Sequence, residues 1–164
     1  MADEARIEQI QEGAVVASPG WFVLNMGEVA WSRDATGRGG EWSGNEPPDG
    51  FEQYGIGIHV LNPGQMNGLY HSESDQEDFL VLSGECILLI EEEERPLRAW
   101  DFVHCPPGTA HAVVGAGGGP CILLMLGART GEFGIRYPEC ELARRYGAGA
   151  EADTDSPHEA YAPF

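Results

Sequence analysis

One short stretch, YHSESDQEDFLVLSGEC at residues 70–86, concentrates groups that can bind a metal ion or move a proton. Its first nine residues hold one histidine and four carboxylates, and the chain then turns into an apolar run typical of a β-strand. Imidazole and carboxylate groups together are ligands for first-row divalent ions. A solvated acidic loop is the alternative interpretation, so the fold around these side chains decides between the two.

The spacing of these residues favours a site. Residues two apart on an extended strand share a face, and His71, Glu73 and Glu77 are all odd-numbered. Their side chains are therefore predicted to converge on one face. Phe79 and Val81 continue that face with apolar groups, as the interior of a small barrel requires.

A second segment, DFVHCPPGTAH at residues 101–111, supplies His111 directly after a proline–glycine turn. Asp75 shares the odd parity of the first group, but a turn near "SDQ" is expected to displace it. His59 is expected to be hydrogen-bonded or at a strand edge, or else to contact a substrate. His104 is expected to be a hydrogen-bonded histidine of the barrel, or else to orient a metal ligand by hydrogen bonding to it.

The elements that must position these groups are short strands separated by Gly- and Pro-containing turns. This pattern indicates an all-β sandwich or barrel, and no alternation with long helices supports a doubly wound sheet. The predicted strands are residues 55–61, 68–73, 77–83, 85–91, 95–98, 101–104, 110–115 and 120–127.

The two ends of the chain lack this pattern of closely spaced strands. Ile7 and Ile10 predict a short amphipathic helix over residues 4–12, and residues 21–26 predict a strand. The glycine-rich residues 35–50 are interpreted as a linker or a lid over a pocket. A terminal helix is predicted over residues 137–147, followed by a loosely held acidic tail.

Composition excludes several functions. The chain of 164 residues carries 27 acidic and 9 basic side chains, a net charge of −18, and contains no lysine. Lysine-based catalysis is thereby excluded. Binding to nucleic acids or to anionic membranes is disfavoured, since both need a basic face. No apolar run reaches the length of a membrane span.

The N-terminus is charged and lacks the apolar core of a signal sequence, so we expect a cytoplasmic protein. The four cysteines show no CxxC pair and no zinc-ribbon spacing. They are interpreted as buried, reduced hydrophobic side chains; a disulfide between Cys86 and Cys121 is the less favoured alternative.

The two polar segments resemble the two motifs of the cupin family, G(x)5HxH(x)3–4E(x)6G and G(x)5PxG(x)2H(x)3N. The first fits His71, Glu77 and Gly84, and the second fits the run from Pro106 to His111. The resemblance covers about half of the chain. Glu73 stands where the family has its second histidine, the opening glycine of the second motif is missing, and Gly115 replaces its final asparagine.

The resemblance implies a metal site of His71, Glu73, Glu77 and His111. Two ligand schemes remain open. In one, all four residues bind the ion; in the other, His71, Glu77 and His111 form a two-histidine, one-carboxylate triad with open positions. Glu73 would then be a general base beside the metal. Loss of the metal, with the barrel serving only as a binding cup, is the remaining alternative.

The expected fold is therefore an all-β cupin, a double-stranded β-barrel of the jelly-roll type. Residues 1–53 form an N-terminal arm and loop, residues 54–130 the barrel, and residues 131–164 a short helix and acidic tail. The resemblance also implies a homodimer.

The expected function is that of a metal-dependent enzyme acting on a small organic molecule, with dioxygenase or other oxidoreductase chemistry as the leading class. Iron or manganese is favoured, and zinc, nickel or cobalt is compatible. Isomerase, lyase or hydrolase chemistry at the same site is an alternative. A non-catalytic metal- or ligand-binding protein, such as a sensor or storage protein, is another.

Overall fold

The computed structural model describes residues 3–32, 40–44, 50–131 and 133–164. Within these residues, twelve strands and two short helices follow one another. They are β1 (Ile7–Ile10), β2 (Gly13–Val16), β3 (Gly40–Ser43), β4 (Tyr54–Leu61), β5 (Ser72–Glu73), β6 (Glu77–Ser83), β7 (Glu85–Ile90), β8 (Glu93–Arg98), β9 (Phe102–Cys105), β10 (His111–Ala116), β11 (Cys121–Ala128), β12 (Ile135–Arg136), α1 (Glu141–Arg145) and α2 (Pro157–Ala160).

Two sheets build the central body. The larger has the strand order β3-β4-β11-β6-β9, and the smaller has the order β10-β7-β8. Every pairing within them is antiparallel. In the described residues the two sheets are not hydrogen-bonded into a closed barrel. The arrangement is an all-β jelly roll, which confirms the predicted fold class.

Alternation along the strands explains how the two sheets pack. On β6, Glu77, Phe79 and Val81 are buried, whereas Asp78 and Leu82 are more exposed. Inward residues of both sheets form one apolar cluster between them. That cluster consists of Leu61, Phe79, Val81, Cys86, Leu88, Val103, Cys105, Val113, Cys121 and Leu123. The cysteines are free and buried, as predicted.

The turn between β6 and β7 depends on a glycine. Gly84 has a φ of +77°, and a Cβ at this position would lie 2.3 Å from the carbonyl oxygen of Pro120. Only glycine fits such a turn without moving backbone atoms. The geometry of this turn therefore explains why the first motif ends in a glycine.

The N-terminal arm differs from its prediction. Residues 7–16 form a hairpin of β1 and β2, in which Ile10 pairs with Gly13, instead of a helix over residues 4–12. Residues 22–25 have no regular structure, so the strand predicted over residues 21–26 is wrong. An apolar spacing of three residues fits either element when the run is this short, and Gly13 favours the turn.

Only part of the predicted 35–50 loop falls within the described residues. Residues 40–43 form β3, at the edge of the larger sheet, while residues 33–39 and 45–49 lie outside the described part of the chain. The lid and linker interpretations both rest on those residues.

The C-terminal region packs on the body. The helix predicted over residues 137–147 is the shorter α1, and α2 follows within the tail that was predicted to be loose. Ala143, Ala148 and Ala160 are buried in a second apolar cluster with Leu69 and Leu89.

Candidate metal site

Strand β6 fixes the first group of the site. Glu77 is its first residue and points inward, with its side chain 10% exposed. The strand lies between β11 and β9 and pairs with both. A carboxylate on such a doubly paired strand has little freedom to move toward solvent.

The two histidines face each other across the fold. His111 begins β10, directly after the proline–glycine turn, and its backbone N–H donates to the carbonyl of His71 at 2.8 Å. The N–H of His71 donates back to the carbonyl of His111 at 3.0 Å. The ring centroids are 5.1 Å apart. Residues forty positions apart in the sequence are thereby held together by the backbone.

A backbone carbonyl orients each ring. Nδ1 of His71 lies 2.6 Å from the carbonyl oxygen of Leu69, and Nδ1 of His111 lies 3.0 Å from that of Thr109. A neutral imidazole that donates from Nδ1 has its lone pair on Nε2. Outer partners of this kind are typical of metal-binding histidines.

Three side chains come together in this place. One ligand atom from each of His71, Glu77 and His111 lies within 4.8 Å of the others, so the group could hold a metal ion. Nε2 of His111 is buried without a hydrogen-bond partner, although Oε2 of Glu77 is 3.3 Å away. A metal ion between the two groups would accept this lone pair, whereas in the metal-free protein a protonated Glu77 is placed to donate to it.

The electrostatics of the metal-free site agree with this geometry. Burial, and then the negative charge of Glu73, raise the pKa of Glu77 to about 8. Burial and the neighbouring His71 lower the pKa of His111 to about 4, against the opposing effect of the Thr109 carbonyl. Both groups are therefore mostly neutral near pH 7. The ionised form of Glu77 would need a nearby cation to compensate the cost of its burial.

Glu73 lies beside this group instead of within it. Its Oε1 is 3.8 Å from Nε2 of His71, and its side chain is 20% exposed. Burial, and secondarily Asp75, raise the pKa of Glu73. The bend after β5 turns Asp75 away, as predicted, and its carboxylate accepts hydrogen bonds from Thr130.

The group opens into a cavity of about 770 Å³. This size is within the range of small-molecule sites. Among its lining residues are His71, Glu73, Glu77, Arg129, Tyr137 and Tyr161. Apolar side chains such as Met125 and Phe133 line it as well.

The other two candidate histidines differ in position. His59 is buried, lines the same cavity and lies 3.9 Å from Glu41, which leaves the predicted substrate contact open. His104 points to the outer face, where its Nδ1 lies 2.6 Å from Oδ1 of Asp78. Its side chain is 52% exposed, so the interpretation of His104 as an orienting residue is wrong.

Tyr137 and Tyr161 were missed by the sequence interpretation. The ring of Tyr137 packs against His71 with centroids 5.7 Å apart, and both tyrosines line the cavity. They come from the C-terminal region, which shows no strand periodicity and no ligand spacing. The only available signal is the presence of aromatic residues in a tail otherwise rich in acids and alanine.

Fold and site together define a jelly-roll protein with a histidine–carboxylate group at the wall of a cavity. Residues 57–127 match the cupin domain family. The structure aligns with KdgF from a Halomonas species at a TM-score of 0.54 and 18% identity, over 69% of this chain and 97% of that chain. Residues 57–127, the central part of the chain, are thus similar to a cupin domain, and the structural alignment supports the same fold.

Two further solved structures are similar. One is an uncharacterized conserved protein with a double-stranded β-helix domain from Klebsiella pneumoniae, with a TM-score of 0.52 and 21% identity over 63% of this chain and 88% of that chain. The other is a putative sugar phosphate isomerase from Acidithiobacillus ferrooxidans, with a TM-score of 0.48 and 28% identity. That alignment covers 51% of this chain and 55% of the isomerase, so the chain spans little more than half of that protein.

No curated protein sequence matches the chain. Within the described residues, none of the helices has the length and apolar character needed to cross a membrane.

Proposed function

We propose that this protein is a metal-dependent enzyme that acts on a small organic molecule, with oxygen-dependent oxidation as its leading reaction class. The observation that carries the proposal is the group of His71, Glu77 and His111, whose ligand atoms lie within 4.8 Å of one another. His71 and Glu77 also line the cavity. Two histidines and one carboxylate with open positions are the ligand pattern of non-haem iron oxygenases.

Iron, or alternatively manganese, is the proposed metal, and it would supply the one-electron chemistry that reactions with oxygen require. The three side chains hold and orient the ion, and the carbonyls of Leu69 and Thr109 fix the two imidazole rings.

Glu73 is proposed as the general base. Its carboxylate is outside the three-residue group but only 3.8 Å from Nε2 of His71. It would therefore lie beside a substrate bound to the ion. Burial raises the pKa of Glu73, which makes its carboxylate a better proton acceptor than an exposed one. The structure therefore favours the triad scheme over the four-ligand scheme.

The first experiment measures metal content. Protein purified from metal-replete medium is expected to contain about one iron or manganese ion per chain by mass spectrometry, and it should consume oxygen with a panel of small organic substrates. Absence of any transition metal would overturn the proposal. Bound metal without any turnover across redox and non-redox substrates would favour the sensor or storage alternative.

A Glu73→Gln variant tests the division of roles. General-base residues contribute about 10²–10⁴-fold to rate, so we expect a loss of this order in kcat with metal content unchanged. Loss of the metal would instead make Glu73 a ligand. Glu93→Gln, on the exposed strand β8, is the matched control and should retain both properties.

The predicted homodimer and the predicted cytoplasmic location stay predictions.

A further inference from the structure

The C-terminal segment, defined as residues 153–164, is held firmly against the site. Thr154 and Tyr137 exchange backbone hydrogen bonds of 2.8 and 3.1 Å. Asp153 accepts from the guanidinium of Arg136 at 2.8 Å and from the backbone of Glu139 at 2.7 Å. These bonds lie just before α2 and set its position on the body.

Tyr161 follows α2 and reaches the chain next to the site. Its hydroxyl oxygen accepts the backbone N–H of Leu69 at 3.0 Å, and its ring packs edge-on against Tyr137 with centroids 6.0 Å apart. Gly68 leaves room for the hydroxyl, since a Cβ there would lie 3.3 Å from that oxygen.

Leu69 connects this tyrosine to the candidate metal site. Its side chain is fully buried, its N–H binds Tyr161, and its carbonyl accepts from Nδ1 of His71 at 2.6 Å. Tyr161 therefore restrains the residue whose carbonyl sets the orientation of the His71 ring. His111 has no such connection, because its Nδ1 bonds to Thr109 instead.

We propose that Tyr161 is a positioning residue, through which the C-terminal segment fixes the ring orientation and tautomer of His71 by way of Leu69. The expected effect on metal binding rests on the proposed metal site, whereas the effect on the His71 ring does not. It assigns a role to a residue more than thirty positions beyond the cupin domain match, which ends at residue 127.

The first test uses Tyr161→Phe, which keeps the ring and removes the acceptor of the Leu69 N–H. Cobalt(II) is the probe, since its visible absorption reports ligand geometry. We expect cobalt binding about 3–10-fold weaker, below the 10–100-fold typical of direct outer partners, with an altered absorption spectrum. Tyr146→Phe is the control, because Tyr146 follows α1 and its hydroxyl bonds to Glu94.

Identical cobalt affinity and spectrum in Tyr161→Phe and Tyr146→Phe would overturn the proposal. Gly68→Ala is a second variant that perturbs the same contact from the other side by crowding the hydroxyl. It should shift the spectrum in the same way. This keeps the test decisive if Tyr161→Phe melts at a much lower temperature than the wild type.

A second test needs no metal. Nitrogen-15 NMR of metal-free protein labelled at histidine reports the tautomer of each ring. We expect His71 to be mainly protonated at Nδ1 in the wild type and mixed in Tyr161→Phe, with His111 unchanged as an internal reference. An unchanged His71 signal would overturn the proposal, whereas failure of wild-type protein to bind any metal would overturn only the proposed function.

Discussion

Strand β6 carries a carboxylate–histidine pair on each of its faces. On the outer face, Asp78 lies 2.6 Å from His104, which stands directly opposite it on β9. On the inner face, Glu77 lies 3.3 Å from His111, with the His111 side chain fully buried. Consecutive residues of one strand thus make chemically similar pairs on its outer and inner faces.

Burial makes the two pairs behave differently. In the outer pair the His104 side chain is 52% exposed, and surface pairs of this kind contribute little to stability. The inner pair stays neutral without a metal, because burial raises the pKa of Glu77 to about 8 and lowers that of His111 to about 4. Residue type alone therefore does not define a site here; the face of the strand does.

The largest expected difference concerns metal binding. We expect His111→Gln to weaken binding of iron(II) or cobalt(II) more than about 100-fold, because even outer partners of a ligand are worth 10–100-fold. His104→Gln should bind as the wild type does. Isothermal titration calorimetry measures both. Equal losses of metal affinity in the two variants would show that the inner face of β6 is not the metal-binding one.

A smaller effect is expected on the stability of the metal-free protein. The folded pKa of Glu77, about 8, is above its ordinary value of 4.5, so its contribution to stability is complete below pH 4.5 and is lost as the pH rises through 8. The pKa of Glu73 is raised as well and acts in the same direction. His111, with its lowered pKa, loses its contribution only below about pH 6.5.

Between pH 6.5 and 8 the stability of chelator-treated protein should therefore fall, by roughly 1–2 kcal/mol. Glu77→Gln should flatten most of this dependence, and Asp78→Asn should leave it unchanged. Urea unfolding at each pH measures the free energy. A wild-type curve that rises over this interval would contradict the assignment of a buried, protonated Glu77.

The smallest expected effect is that of the outer pair itself. A double-mutant cycle of Asp78→Asn and His104→Gln should give a coupling energy of about 0–1 kcal/mol, as for other exposed pairs. The coupling should decrease in high salt, because exposed charges are screened. A coupling of several kcal/mol would mean that the outer face is more than a solvated surface.

Much of this arrangement could be predicted from the sequence. The parity of Glu77, Phe79 and Val81 identified the inner face of β6, because the side chains of a strand alternate. His71 precedes a bend at residues 74–76, and its backbone pairing with His111 brings it to the same place. The Pro–Gly turn placed His111 at the start of a strand. The same parity grouped Glu73 with His71, and the structure places both at the same cavity, although the Glu73 carboxylate lies outside the three-residue group.

The remaining features depend on contacts between distant segments. Tyr161 reaches Leu69 across 92 positions, and no local pattern predicts where a C-terminal segment docks. The helix expected over residues 4–12 is a hairpin, because two isoleucines are too few to distinguish one periodicity from the other. His104 lies on the outer face of β9 with its ring bonded to Asp78, which agrees with the expected satisfied histidine and not with the orienting role.

The reciprocal hydrogen bonds between the backbones of His71 and His111 have a consequence for hydrogen exchange. Each of these two amides exchanges with solvent only when the segments separate, and that separation also takes the two rings apart. Local opening and loss of the site are then one event. A bound ion should slow exchange at both amides by the same factor, set by its concentration relative to its Kd, while amides of the β1–β2 hairpin keep their rates.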